Sequence, residues 1–127
     1  MPKPNASVGK LGEGLALDFL RSLGYKILVV NYRNSLGEID IIAKDKGTLV
    51  FVEVKTRLSD IRGLPQDSVG QTKQKKLSRV AVSFLKEHNL LGHKARFDVV
   101  SIMYDSDSRP KFDLFRDAFE LDQRFIY

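Results

Sequence analysis

The segments GEIDII (residues 37–42) and FVEVK (residues 51–55) decide the fold, because they predict the two strands of one β-hairpin. Both segments are rich in the β-branched and aromatic residues that favour strands. Lys46-Gly47 lies between them, where a two-residue turn would join the strands. A shift of this turn by one residue would move one strand's side chains to the opposite face, so the predicted pairing depends on the turn.

The turn determines which charged residues of the hairpin lie opposite each other. A turn centred on its two residues places Asp40 opposite Glu53, and the same count places Glu38 opposite Lys55. Because side chains alternate between the faces of a strand, these charges are predicted to share one face. Opposed carboxylates about 5 Å apart repel each other and favour a cation such as Mg²⁺, which binds hard oxygen ligands. The alternative is a salt bridge from Lys55 to Glu38, which would neutralise part of the cluster without a metal.

The bulk composition is that of a basic globular chain. At 127 residues, one domain spanning residues 1–127 is expected, and the absence of cysteine excludes a disulfide framework and thiolate chemistry. No apolar run is long enough to span a membrane and the N-terminus lacks a signal-peptide hydrophobic region, so we expect a cytoplasmic protein without membrane association. The net charge of +5 favours a polyanionic partner, namely nucleic acid.

Hydrophobic periodicity places the hairpin within an α/β chain. The predicted elements, in chain order, are a loose tail (1–7), a helix (8–23), a strand (25–32), the hairpin strands (36–44 and 48–57), a helix (72–89) capped by Thr72, a strand (95–103) and a short edge strand (111–115). The segment 58–71 contains Gly63, Pro65 and Gly70 without periodicity, which predicts a long mobile loop able to close over a substrate. No element is assigned to residues 116–127.

Glu13 is a candidate member of the same charged site. At helical spacing it falls on the apolar side of the first helix, near Ala16 and Leu20. A carboxylate on a buried face is expected either to become protonated or to find a partner. Taken alone, it would be interpreted as a cap of a backbone amide or a partner of a nearby lysine. With the hairpin charges it is interpreted as part of one shared cleft.

Several basic residues are candidates for contact with phosphate. Lys55 is predicted to orient an attacking water or to stabilise charge on a phosphate. Lys73 continues the apolar stripe of the second helix backwards, so it is predicted to point inward at the helix start, where a phosphate can bind. Lys75 and Lys76 point elsewhere and are expected in solvent, with phosphate contact as the alternative. Arg33 follows the first strand and would either touch phosphate or end the strand in water.

The remaining titratable residues are predicted to have structural or surface positions. Asp98 interrupts an apolar strand, and pairing with Arg96 or another base is expected without a catalytic role. His88 and His93 are expected at the surface, because no cysteine or third histidine accompanies them to form a zinc site. No Gly-Lys-Ser/Thr phosphate loop is present in the sequence.

Several motifs, taken in their order along the chain, resemble those of a known family. Asp40, twelve further residues and then Glu53-Val54-Lys55 resemble the signature of the PD-(D/E)XK nuclease superfamily. The chain as a whole, over roughly residues 9 to 103, resembles the YraN-like family of Holliday-junction-resolvase-like endonucleases. The matching segments are GEGLALDFLRSLGYKIL, NYRNSLGEIDIIA, LVFVEVKTR, KQKKL and RFDVV. Ile39 stands where the superfamily signature has proline, which supplies no metal ligand.

The resemblance implies a restriction-endonuclease-like α-β-β-β-α-β core, with a central mixed sheet flanked by helices. It further implies that Asp40 and Glu53 bind Mg²⁺ or Mn²⁺, with Glu13 as the acid on the first helix. Lys55 would be the catalytic lysine and Lys73 an accessory residue on the second helix. The resemblance assigns no role to Glu38.

Two functional hypotheses follow, one catalytic and one not. The first is a metal-dependent nucleic-acid phosphodiesterase, in particular a DNA endonuclease with resolvase-like or structure-selective activity. The second is a nucleic-acid-binding or adaptor protein that keeps a nuclease-like fold without catalysis, since function depends on the site and not on the fold. The sequence leaves open whether the protein is a monomer or a homodimer, and whether it prefers DNA or RNA.

Overall fold

The computed structural model of the protein describes residues 4–58, 70–104 and 109–120. Those ranges contain helices and strands in the order that the sequence predicts. They are α1 (Pro4–Ser22), β1 (Lys26–Asn34), β2 (Gly37–Asp45), β3 (Thr48–Leu58), α2 (Gln71–Glu87), β4 (Ala95–Tyr104) and β5 (Pro110–Phe119). In the described ranges no helix has the length and apolar character needed to cross a membrane.

One mixed sheet contains all of the described strands, in the spatial order β1-β2-β3-β4-β5. The central pair β3 and β4 is parallel, and the other neighbours are antiparallel. A parallel pair needs a long crossover connection, which here contains α2. This arrangement confirms the predicted α/β class, with its α-β-β-β-α-β core order, and β5 adds an antiparallel edge strand.

The β2–β3 hairpin has the predicted register. Its ladder pairs Asp45 with Thr48 at the turn and Ile41 with Val52 at the far end. Lys46 and Gly47 both have positive φ, at 49° and 88°, as a two-residue type I′ turn requires. The turn proposed from the sequence therefore forms, although lysine is an uncommon residue at a left-handed position.

Two apolar cores lie on opposite faces of the sheet. The α1-side core includes Val50 and Val52, and the α2-side core includes Leu49 and Phe51. Successive residues of β3 therefore point into different cores, and this strand is buried on both faces as predicted. Each fully buried side chain of this size contributes roughly 1.5–3 kcal/mol. The strand is thus a firmly held support for the charged residues at its end.

Two helix boundaries differ from the predictions. α1 begins at Pro4, within the segment expected to be a tail, because proline is well suited to the first turn of a helix. α2 begins after Gly70, which is the N-cap residue, has an extended backbone and makes no side-chain capping hydrogen bond. Thr72 lies inside the helix, so its predicted capping role is wrong. The predicted tail residues 1–3 and the loop residues 59–69 lie outside the described part of the chain.

The edge strand β5 is longer than the predicted 111–115. It continues to Phe119, which pairs with Phe97 of β4 beyond a register shift between Phe97 and Val99. Asp117 has a positive φ of 52° near that irregularity. A bulge interrupts the alternation of side chains between the two faces of a strand. The second half of β5 therefore lacks the regular alternation of apolar and polar residues from which strands are predicted.

Candidate active site

The hairpin ladder ends where the acidic residues begin. The last recorded pair is Ile41 with Val52, and the next residues outward are Asp40 and Glu53. There the Asp40 Oδ2 atom accepts a hydrogen bond of 2.8 Å from the backbone amide of Val54. A side-chain oxygen thus binds a main-chain donor of β3 at the place where the strands part. The structure therefore brings Asp40 to β3, close enough to Glu53 for their charges to interact, while a directly opposed pair of the two residues stays a prediction.

Asp40 lies in an acidic, partly desolvated environment. Its pKa is raised from 3.8 to about 7, first by burial and next by the negative charge of Glu53. The hydrogen bond from the Val54 amide opposes this shift, while the charges of Glu13 and Glu38 add to it. Because burial disfavours the charged form and neighbouring anions repel it, Asp40 lacks the compensation that a buried carboxylate normally has.

Glu53 contacts two lysines. Its Oε1 atom lies 2.6 Å from the Lys73 Nζ and 3.5 Å from the Lys55 Nζ. The Glu53 side chain is 12% exposed, Lys55 is 20% exposed and Lys73 is 40% exposed. Lys73 thus points inward from the first turn of α2, as its position on the apolar stripe predicts, but its partner is a carboxylate of the candidate site.

The pKa values of the two lysines are shifted in opposite directions. The pKa of Lys55 is lowered, first by burial and next by its hydrogen bond with Lys73. The pKa of Lys73 is raised, because its hydrogen bonds with Glu53 and Lys55 outweigh the lowering effect of burial. Lys73, at 2.6 Å, is therefore the closer counter-ion of Glu53, and Lys55, at 3.5 Å, is the more distant one.

A close approach between α1 and β3 places Glu13 near Asp40. Gly12 is buried against Thr56, and a Cβ added at Gly12 would collide with the Thr56 Oγ1 atom and lie 3.4 Å from its Cβ and Cγ2. Only glycine allows this approach without a shift of the helix or of the threonine. The next residue along α1, half-buried Glu13, is close enough for its charge to raise the pKa of Asp40.

Glu38 does not face Lys55 as the hairpin count predicts. It forms a 2.7 Å salt bridge with Arg33, its partner across β1 and β2, and the two side chains are 53% and 76% exposed. Ile39 and Ile42 both pack in the α2-side core, although strict alternation would separate residues three apart. The side chains of β2 therefore do not alternate regularly around Asp40. The prediction that Glu38 shares a face with Asp40, Glu53 and Lys55 is wrong. The alternative Lys55–Glu38 salt bridge is wrong, because Lys55 lies against Glu53.

Of the other predicted phosphate contacts, Lys75 and Lys76 are exposed on the first turns of α2. Arg33 is exposed at its salt bridge with Glu38. A role in nucleic-acid binding stays a prediction for each of these residues.

Asp98 of β4 forms a separate hydrogen-bond network. It is fully buried and accepts hydrogen bonds from Arg96 Nε at 2.9 Å and from the Tyr25 hydroxyl at 2.7 Å, which confirms the predicted Arg96 pairing. The backbone amide of Asp117 donates a further bond of 2.9 Å. Burial and the bond to Asp98 raise the pKa of Tyr25 to about 12, so its hydroxyl stays a donor. Arg96 also binds Asp45 at 2.7 Å.

The described residues contain no group of three or more His, Cys, Asp or Glu side chains arranged to hold a metal ion. The ligand set of Glu13, Asp40 and Glu53 therefore stays a prediction. The donor chemistry of the pair Asp40 and Glu53 suits Mg²⁺ or Mn²⁺, because such ions use one or two carboxylates and keep several waters. A cation would also remove the repulsion that raises the pKa of Asp40.

Two residues that matter to this geometry were not singled out from the sequence as site residues. Gly12 lies within the predicted helix 8–23 and Thr56 within the predicted strand 48–57, but neither is among the predicted site residues. A glycine inside a helical apolar stripe is itself a signal of close packing. The sequence gives no indication of which strand residue it approaches.

The mixed sheet with a helix on each face defines an α/β protein, and an acidic hairpin end beside lysines is its most distinctive feature. The model of the Uncharacterised protein family UPF0102 matches residues 12–102, and the chain belongs to that family. This is the YraN-like, PD-(D/E)XK nuclease-like group, so the predicted resemblance is confirmed.

Curated relatives match nearly the whole chain. The chain is 48% identical over 117 residues to a UPF0102 protein of Syntrophus aciditrophicus, covering 92% of this chain and 91% of that one. It is 50% identical over 114 residues to a UPF0102 protein of Caldicellulosiruptor bescii, covering 88% and 96% of the two chains.

Among solved structures, the chain is similar to Pyrococcus furiosus SfsA in complex with Ca²⁺, with 13% identity and a TM-score of 0.38. The match covers 88% of this chain and 63% of that one.

Proposed function

We propose that this protein is a metal-dependent nucleic-acid phosphodiesterase, and specifically a DNA endonuclease with resolvase-like or structure-selective activity. The observation that carries the proposal is the pair Asp40 and Glu53 at the end of the hairpin, beside Lys55. Burial and the charge of Glu53 raise the pKa of Asp40 to about 7. Perturbed carboxyl groups of this kind are typical of functional sites, because a structural carboxylate is usually matched by a base.

Asp40 and Glu53 would hold Mg²⁺ or Mn²⁺ through their carboxylate oxygens, and Glu13 would contribute through a water molecule. The ion would supply a water with a lowered pKa and would neutralise charge on the phosphate. The Val54 amide fixes one oxygen of Asp40, which leaves the other for a ligand. The Gly12–Thr56 contact holds α1 close enough for Glu13 to reach the same region.

Lys55 would position the attacking water and stabilise charge that develops on the phosphate. Its side chain is only 20% exposed, so its amine is held close to the carboxylates of the site. Burial and the hydrogen bond with Lys73 lower the pKa of Lys55 below its ordinary value. Lys55 would therefore orient the water and stabilise the phosphate through its position beside Glu53.

The basic surface would hold the nucleic-acid backbone without reading bases. The chain has a net charge of +5, and the first turn of α2 contains no acidic residue. Lys75 and Lys76 are exposed in the next turn of α2, and Arg33 is exposed on the edge strand β1. Binding of this kind weakens steeply as salt rises, because counterions are released from the phosphates. A cytoplasmic location is part of the same proposal.

The test is cleavage of branched, flapped and single-stranded DNA with Mg²⁺ or Mn²⁺. Asp40→Ala, Glu53→Ala and Lys55→Ala are each expected to lower the rate on the order of a hundredfold or more. Asp18→Ala and Lys44→Ala are the matched controls, because these residues lie exposed on α1 and β2. Cleavage by all three site variants at the rate of the controls would contradict the proposal.

A second candidate is a nucleic-acid-binding protein without catalysis. The observation that favours it is the 2.6 Å ion pair of Lys73 with Glu53, which neutralises Glu53 without a metal. This candidate predicts salt-sensitive DNA binding that does not change when Mn²⁺ is added or chelated. Metal-dependent cleavage that is lost in Asp40→Ala would exclude it.

A further inference from the structure

We infer that Lys73 is an internal counter-ion of Glu53, which a divalent cation displaces when it binds and which is then free to contact the substrate phosphate. The inference rests on the proposed function and adds a coupling between two events at the same site. Cation binding would be the event that makes a phosphate-binding lysine available. The protein would therefore hold phosphate through this residue only when its metal is in place.

The distances identify which lysine holds Glu53. Both ammonium groups face the same carboxylate oxygen, but Lys73 lies at 2.6 Å and Lys55 at 3.5 Å. The shorter separation is that of a charge-assisted hydrogen bond. A divalent cation bound to that oxygen could not tolerate an ammonium in direct contact, because two like charges would then lie within a few ångströms.

The exposures identify which lysine moves. The Lys73 side chain is 40% exposed, whereas Lys55 is 20% exposed and Glu53 is 12% exposed. A lysine at the start of a helix can swing its flexible stem into solvent. Lys55 extends from the doubly buried strand β3, so its ammonium stays at the site. The expected change is therefore loss of the Lys73–Glu53 contact while Lys55 keeps its place.

The local charge of α2 determines where the released lysine goes. The first turn of α2 has no acidic residue, so the turn itself offers no carboxylate to recapture the ammonium. Lys75 and Lys76 lie exposed beside it and add positive charge. A phosphate approaching this helix end would meet Lys73 together with the positive end of the helix dipole.

The experiment compares Mn²⁺ affinities of the full chain by titration calorimetry, without nucleic acid. Lys73→Met is expected to bind Mn²⁺ on the order of tenfold more tightly than the wild type, because the competing ammonium is gone. Lys76→Met is the matched control. It removes the same charge from an exposed position on the same helix, and its affinity is expected to stay within about twofold.

Thermal unfolding provides a second measurement. In the absence of metal, Lys73→Met is expected to melt at a lower temperature than Lys76→Met, because Glu53 then loses its closer counter-ion beside Asp40. Saturating Mn²⁺ should stabilise Lys73→Met more than the wild type, since a ligand stabilises according to its affinity.

The outcomes separate this inference from the proposed function. If the wild type binds Mn²⁺ and Lys73→Met binds it equally or more weakly, the counter-ion role is overturned and the metal site stands. If neither the wild type nor Lys73→Met binds Mn²⁺, the metal site itself is overturned, and the inference with it. Tighter binding by Lys73→Met but not by Lys76→Met supports both.

Discussion

Asp40 and Asp98 are carboxylates of one sheet in opposite situations. Asp98 is fully buried, and a guanidinium, a phenol and a backbone amide all donate to it. Asp40 receives one amide of β3, and its pKa is raised to about 7 by burial and by neighbouring acids. The same kind of side chain is thus hydrogen-bonded to a base at one place and held beside other acids at the other.

We interpret this difference as that between a carboxylate of the framework and a carboxylate that binds a ligand. A buried charge that is paired and hydrogen-bonded no longer needs an external partner. An acidic residue held next to other acids is costly to the fold, and a bound cation removes that cost. We interpret the Asp98 network as part of the framework and the Asp40 cluster as a site that is complete only with a ligand.

The largest expected effect is on stability, and it tests this division directly. Asp98→Asn should lower the free energy of unfolding by about 3–5 kcal/mol, because it leaves part of the charge of Arg96 without a partner. Asp40→Asn should cause no loss in the absence of metal, since it removes repulsion and its amide oxygen still accepts the Val54 amide. Urea unfolding of both variants gives the comparison. Similar losses for the two variants would remove the basis for the division.

A second prediction concerns how α1 is held against the acidic cluster. Gly12→Ala should cost about 1–3 kcal/mol, because the new methyl group overpacks the contact with Thr56. Gly14→Ala is the matched control on the same helix. A Cβ there meets nothing within 4 Å, so helix propensity should make this variant more stable by up to about 1 kcal/mol.

Thr56→Ala provides the rescue for that prediction, because it removes the colliding Oγ1 atom. The double variant Gly12→Ala with Thr56→Ala should recover stability relative to Gly12→Ala alone, again measured by urea unfolding. Additive losses in the double variant would show that the two residues do not set the approach of α1.

The pH dependence of stability gives a third, smaller effect. The pKa of Asp40 is raised above its ordinary 3.8 to about 7, so the folded state binds a proton more tightly than the unfolded state. The free energy of unfolding should therefore fall as pH rises between about 4 and 7, by at most about 1.4 kcal/mol per pH unit from this group. The slope of the wild type minus that of Asp40→Asn isolates the effect. A difference slope of opposite sign would contradict the assigned environment.

Asp45 should show the opposite behaviour. Its hydrogen bond with Arg96 lowers its pKa, against the effect of burial. The stability that Asp45 contributes is present above its ordinary pKa and is lost as pH falls through its lowered pKa. The window of this effect lies at more acid pH than that of Asp40.

The smallest effect is expected at the surface pair of Arg33 and Glu38. Both side chains are more than half exposed, so Arg33→Ala should change the free energy of unfolding by less than about 1 kcal/mol. Its effect on DNA affinity is the informative measurement. An unchanged dependence of DNA affinity on salt would remove Arg33 from the proposed phosphate contacts.

Much of the site could be predicted from residue order, because its central geometry is local. The Lys46-Gly47 turn determines the register of the hairpin, and the register brings Asp40 to Glu53. Helical periodicity then turns Lys73 and Glu13 inward. These steps depend on a period and a turn, and both can be read from one sequence.

The remainder depends on contacts between distant segments. Glu38 pairs with Arg33 because β2 also has β1 as a neighbour, which a count along one hairpin leaves out. The Gly12–Thr56 contact depends on how a helix lies across a strand. The partners of Asp98 include Tyr25, which lies 73 residues away along the chain. No period or turn signal in the sequence carries such information.

The most direct test of the central claim is the anomalous scattering of crystals soaked in Mn²⁺. We expect one strong peak in contact with the carboxylates of both Asp40 and Glu53, with the Lys73 ammonium moved away from Glu53. The contrary result is the absence of a peak between these carboxylates under conditions that saturate other Mn²⁺ proteins, with Lys73 still bound to Glu53. Such a map would mean that the acidic hairpin end is neutralised by the protein itself.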